Sequence, residues 1–180
     1  VYYGSDYAKS YPFRRRIKNL FKTDKFKNKL NIRIIEWAEG LKGEALSKEL
    51  NKGYISISTK SIYNYLVKKY FEVPLSNTML ACDMPEYGKE FISKDNFIYI
   101  DQNMSDDQLL DIFLENLKDK EELMNKITRL RNEVYRIQSM KVIDMMKMEV
   151  NEERTELNNI TFYKNICCVI STNYDLNIMK

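Results

Sequence analysis

The sequence predicts a mainly α protein: a three-helix core over residues 30–71, a small β-hairpin over residues 90–100, and a long C-terminal helix. Three observations carry this. Apolar residues recur at helical spacing through residues 30–71. Short β-branched and aromatic runs flank Lys94-Asp95-Asn96, which suits a hairpin. Residues 106–158 contain neither proline nor glycine and repeat apolar side chains three and four apart. At 180 residues, 44% hydrophobic and 31% charged, the chain can bury a core as one domain or two small ones.

Composition excludes several chemistries. With no histidine, Ser-His-Asp and Cys-His nucleophiles and the H-E-x-x-H zinc site are absent. Of the three cysteines, Cys167 and Cys168 are adjacent, so the set fits neither a disulfide framework nor a C-x-x-C metal pattern. Reduced thiols imply an intracellular compartment. No apolar run reaches the length of a membrane span, and no signal peptide is visible. The chain begins with Val1 and is expected to be trimmed or part of something longer. No cofactor, metal site or catalytic constellation is expected.

Residues 1–13 are tyrosine-rich, with Gly4 and Pro12 as breakers, and read as an extended arm. Tyr2, Tyr3, Tyr7 and Tyr11 either stack on bases or pack over the domain, packing being the favoured role. Residues 14–104 form the main basic domain. Within it, residues 14–33 hold nine cationic side chains against one carboxylate, Asp24, a local charge of +8. Ile17, Leu20, Phe21 and Phe26 interleave, so an amphipathic helix would present Arg14, Arg15, Arg16, Lys18 and Lys22 to phosphate. An acidic protein, an acidic membrane surface or plain solvation would satisfy the same pattern.

Residues 30–71 follow. A helix from Leu30 to Gly40 places Ile34, Trp37, Ala38 and Leu41 on one face, and Gly40 and Gly43 bracket a turn. Glu44–Leu50 makes a second helix with Leu46 and Leu50 inward. Ser58 is placed to cap a third, from Thr59 to Tyr70, with Ile62, Leu66 and Tyr70 inward. Leu46–Leu50 and Ile57–Leu66 together resemble the second and recognition helices of a generic helix-turn-helix domain. That resemblance covers about forty residues and names a class rather than a family. It implies Thr59, Lys60, Ser61, Tyr63 and Asn64 at base edges and Lys68 at phosphate. The chain departs from the class at Asn51–Ser56, where Tyr54, Ile55 and Ile57 form a short strand or an enlarged turn. A structural core with a solvated third helix fits the same residues.

Val73-Pro74-Leu75 breaks the pattern, and Met79–Cys82 reads as a short buried turn. Glu90–Ser93 and Phe97–Ile100 are the hairpin arms, in the place of a wing, with Lys89 and Lys94 near phosphate. Asp106, Asp107, Asp111, Glu115 and Asp119 have the spacing of a two-metal site. Ser105-Asp106-Asp107-Gln108 is better read as a capping box with acids in the first turn. Residues 105–159 form the long helical interaction region, with a break near Asp119-Lys120. Leu123, Ile127, Leu130, Val134 and Ile137, continued by Ile143, Met146, Val150 and Leu157, form a heptad seam. Unbroken, this helix would be about 80 Å long, so its seam needs a second copy, a protein partner or a returning segment, and a coiled coil is one outcome. Residues 160–180 read as a tail or strand.

The function these observations predict is sequence-dependent DNA binding, as a regulator or a replication or recombination accessory. Duplex DNA is the expected partner, with RNA open and a homodimer or helical protein at the long helix. The alternative is a non-catalytic helical scaffold subunit of a larger assembly.

Overall fold

The computed structural model describes residues 1–4, 9–64 and 66–151, with backbone alone at Trp37, Tyr87 and residues 138–151. The chain divides into two compact units, Val1–Val134 and Tyr135–Lys180. In the first, helix and strand alternate. β1 (Tyr2–Tyr3), α1 (Pro12–Leu20) and α2 (Asp24–Lys27) precede β2 (Ile34–Ile35). A 3-10 turn at Trp37–Glu39 and α3 (Gly43–Asn51) lead into β3 (Ile55–Thr59), and α4 (Lys69–Leu75) into β4 (Met79–Asp83). Two further 3-10 turns, Glu86–Glu90 and Lys94–Asn96, precede β5 (Ile98–Tyr99). α5 (Asp106–Lys118) and α6 (Lys120–Asn151) follow.

All the strand pairs are parallel. β1 pairs with β2, and β3, β4 and β5 pair in that order, with Ile55 opposite Met79, Thr59 opposite Asp83 and Cys82 opposite Tyr99. β1 lies against β3, and the Val1 nitrogen donates to the Ile55 carbonyl. The strands thus form two small parallel sheets, β1-β2 and β3-β4-β5, with β1 beside β3. The mainly α expectation holds only coarsely: helical residues outnumber strand residues, but a parallel sheet stands where a three-helix core was expected.

The difference begins at β3. Ile-Ser-Ile-Ser-Thr is buried at all five positions, as is Met79–Asp83 beside it. Met79–Cys82 is the continuous apolar run expected of a strand covered on both faces, whereas β3 alternates and buries Ser56 and Ser58 as well; its β-branched Ile55, Ile57 and Thr59 favour the pleated backbone. The expected recognition helix does not form. Thr59 ends a strand, Asn64 adopts a positive φ of 54°, and helix resumes only at Lys69. The expected helix from Leu30 to Gly40 is likewise β2 and a 3-10 turn. The second helix and the optional strand at Tyr54–Ile57 are both present, as α3 and β3. The hairpin is replaced by two 3-10 turns and by β5, which runs parallel to β4, with the side chains of Ile98 and Ile100 buried.

The amino-terminal arm packs rather than projects. Tyr2 and Tyr3 are buried, and Tyr2 meets Phe21 edge-on at 6.5 Å. Phe21 also contacts Phe26 at 5.9 Å and Phe113 at 6.0 Å, joining α1, α2 and α5 around one aromatic cluster. Tyr7 lies outside the described residues. Pro12 opens α1 at a position where its missing N–H costs nothing.

Ser105 forms the expected capping box: its hydroxyl accepts from the Gln108 N–H at 3.2 Å, and the Gln108 carbonyl accepts from the Ser105 N–H at 2.7 Å. The break at Asp119 separates α5 from α6 as the sequence suggests. Leu123, Ile127, Leu130 and Val134 are all buried within the first unit. There the chain covers its own seam, and Glu133 secures it by accepting from Asn96 Nδ2 at 2.9 Å. The side chains of Ile143, Met146, Val150 and Leu157, and the whole of residues 160–180, lie outside the described residues. No helix among the described residues is long and apolar enough to cross a membrane.

Candidate functional site

In a doubly wound sheet, ligands settle outside the carboxyl ends of the strands, where the order reverses and neighbouring connections leave in opposite directions. Here the parallel strands form two sheets, and the carboxyl ends of β1 and β3, which lie side by side, are the corresponding place. β1 ends at Tyr3-Gly4 and β3 at Thr59-Lys60. The segments beyond them meet where the Ile62 N–H donates to the Ser10 carbonyl at 3.0 Å.

Gly4 has a φ of 91°, and a β-carbon there would stand 1.9 Å from Lys69 Nζ. Lys69 donates to the Tyr3 carbonyl and lies 4.3 Å from the Tyr3 ring centre. Burial, then the Arg14 charge, hold its ammonium well below the usual lysine range. The Tyr3 hydroxyl donates to Glu72 at 3.0 Å. Gly4→Ala combines a left-handed backbone with an occupied site. It is expected to lower unfolding free energy by about 1–3 kcal/mol, read by urea denaturation; an unchanged midpoint would refute the close approach.

Across the crevice, β3 and β4 end in register. The Asp83 carboxylate accepts the Lys60 N–H at 2.7 Å and lies 3.4 Å from the Tyr70 hydroxyl. Burial raises the Asp83 carboxyl to about 6, against the opposing pull of the Lys60 N–H. The Lys60 charge also helps to lower the pKa of Glu86 and of Asp101. Among the described residues that ammonium has no hydrogen bond or ion pair. Thr59 presents a buried hydroxyl without a hydrogen-bond partner among the described residues. This edge can offer a cation, hydroxyls and carboxylates to a polar ligand. No three His, Cys, Asp or Glu side chains among the described residues are grouped to hold a metal, so Asp107, Asp111 and Glu115 remain helix-face acids.

The residues expected to touch nucleic acid separate into two groups. Arg14 is buried and donates to the Thr59 carbonyl, 4.0 Å over the Tyr11 ring, so it belongs to the interior of the crevice wall. Thr59 and Ser61 are also buried. Lys60, Tyr63, Asn64 and Lys68 lie on the connection from β3 to α4, with Tyr63 71% exposed. The other group is engaged elsewhere. Arg16 donates to the Gln102 and Met104 carbonyls at 2.8 Å and pairs with Asp106. Lys18 and Lys22 both face Glu36, at 2.8 and 3.9 Å. Arg15 is exposed. Much of the +8 segment is thus balanced by carboxylates brought from β2, α3 and α5, and the expected single positive footprint is not assembled.

Gly4, Lys69, Asp83 and Tyr99 do not stand out as ligand-binding residues in the sequence. A readable signal existed for one: Met-Leu-Ala-Cys is a continuous apolar run of strand length, and an aspartate directly after such a run sits at a strand's carboxyl end. Cys82 in that run is a buried thiol whose pKa burial pushes up, so it is a packing residue. The chain matches no family model, no curated protein and no solved structure.

Proposed function

We propose that the α/β unit binds a phosphorylated small molecule of the nucleotide class in the crevice between the ends of β1 and β3. The observation that carries this is the Lys60 ammonium, without a hydrogen bond or ion pair among the described residues, at the carboxyl end of β3 beside the buried and unpartnered Thr59 hydroxyl. Phosphate is best met by a cation and backbone N–H groups at such an edge, and hydroxyls by carboxylates such as Asp101. Lys60→Ala is expected to weaken binding of a nucleoside diphosphate about ten-fold or more, the worth of a charge-assisted hydrogen bond, measured by titration calorimetry. Native protein that binds neither nucleotide nor pyrophosphate at millimolar concentration sinks the reading.

DNA binding is the second reading. Exposed Arg15, Lys27 and Lys29 on the α1–α2 segment, with Tyr63 and Asn64 beyond β3, support it. Titrating a duplex beside the nucleotides separates the two: a duplex preference with a steep salt dependence favours DNA. The recognition-helix mechanism is not part of it.

A further inference from the structure

Tyr99 is the last residue of β5. Its neighbours Ile98 and Ile100 are 5% and 0% exposed, yet the Tyr99 side chain is half in solvent. Isolated exposed aromatics are common and mean little, but this one is fixed. Its hydroxyl donates to Asp101 at 3.1 Å, and Asp101 is held in turn by the Asn103 N–H at 2.8 Å. Burial and the Asp101 hydrogen bond raise the Tyr99 pKa, so the ring stays neutral. Thr59 stands opposite Asp83 and Cys82 opposite Tyr99, so Tyr99 and Lys60, which follows Thr59, share the carboxyl edge of the three-stranded sheet. β3 and β5 are two strand spacings apart, about 10 Å. A nucleotide spans that kind of distance from its phosphates to its base.

From this we infer that Tyr99 is the stacking platform for the base of a nucleotide whose phosphates lie at Lys60 and the β1/β3 crevice. The inference rests on the nucleotide reading above and adds the direction in which the ligand lies, toward β5 rather than β2. A ring already held by Asp101 loses little freedom when a base covers it, so contact with its π-face is productive. Stacking tolerates any base, and selectivity among bases is left to other groups.

The test titrates the full chain with ADP, GDP, CDP, UDP and inorganic pyrophosphate, as native protein and as Tyr99→Ala and Tyr99→Trp. In native protein at least one nucleoside diphosphate should bind about ten-fold more tightly than pyrophosphate, the usual worth of one stacked base. Tyr99→Ala should erase that advantage and leave pyrophosphate affinity unchanged, while Tyr99→Trp should keep it. A Tyr99→Ala protein that retains the full advantage overturns the inference. So does native protein that binds pyrophosphate and every nucleotide equally, although the phosphate part of the proposed function would then stand. Native protein that binds none of the five overturns both. The pyrophosphate arm also serves as the folding control for each variant.

Discussion

Asp83→Asn raises the unfolding free energy at pH 8 by about 2–3 kcal/mol and leaves it nearly unchanged at pH 3.5, as followed by urea denaturation at the two pH values. Burial of Asp83 at the end of β4 lifts its folded pKa from 3.8 to about 6. Between those values the folded protein binds more protons than the unfolded chain, so the native protein loses stability as pH rises through this window. Above it the carboxylate is charged and desolvated, and the cost persists. Asparagine keeps an oxygen for the Lys60 N–H and removes the charge, which abolishes the dependence. A variant less stable than native protein at pH 8 would mean that the Lys60 N–H prefers the charged acceptor strongly enough to outweigh desolvation.

Leu130→Ala lowers the unfolding free energy by about 3 kcal/mol, whereas Met124→Ala stays within about 0.5 kcal/mol. Leu130 is 0% exposed and Met124 is 40% exposed, on the same helix two turns apart. The large cost follows from removing branched methyls from a site closed by the first unit, where the cavity cannot refill with water. If α6 instead buried this seam only against a second copy, the Leu130→Ala penalty would depend on protein concentration and the mass in solution would fall. A concentration-independent penalty at constant mass confirms that the chain covers the seam itself.

Both results bear on the same contrast. At α6 the sequence pattern was sufficient to name the buried positions, because helix periodicity is local and Leu123, Ile127, Leu130 and Val134 repeat it without interruption. What the pattern does not contain is the identity of the surface they meet. The seam reads as surplus because its neighbours in the fold, among them the Ser93–Asn96 turn that holds Glu133, lie far from it in the chain.

β3 shows the opposite failure. Ser58, Ile62, Leu66 and Tyr70 satisfy cap and helix spacing well enough to suggest a recognition helix, while Ile55, Ile57 and Thr59 satisfy a strand. A few residues of either kind have similar local cost, and a strand gains its advantage only when its partner is in place. That partner is Met79–Asp83, twenty-four positions along. Contact at such separation leaves no trace in a local window, so the wrong period was preferred.

The basic segment behaves likewise. Its charge count is a fact of the sequence, and phosphate contact was a fair expectation from it. Arg16 with Asp106, Lys25 with Asp107 and Arg33 with Glu49 became pairs only when α5 and α3 were folded back onto it.

By itself the sequence determined the elements whose cause is local: the Ser105 cap, the stop at Asp119, the α3 helix, the proline start of α1, the inward face of α6 and the lack of any histidine-based chemistry. Only the tertiary structure decided the rest. It made Ile55–Thr59 a strand of a parallel sheet, turned cationic side chains onto carboxylates, and brought Lys60 and Asp83 to one edge. The physical reason is that hydrogen bonds between parallel strands join residues far apart in the chain. Which side chains share a crevice is therefore set by strand order and register, neither of which is written in any one stretch of residues.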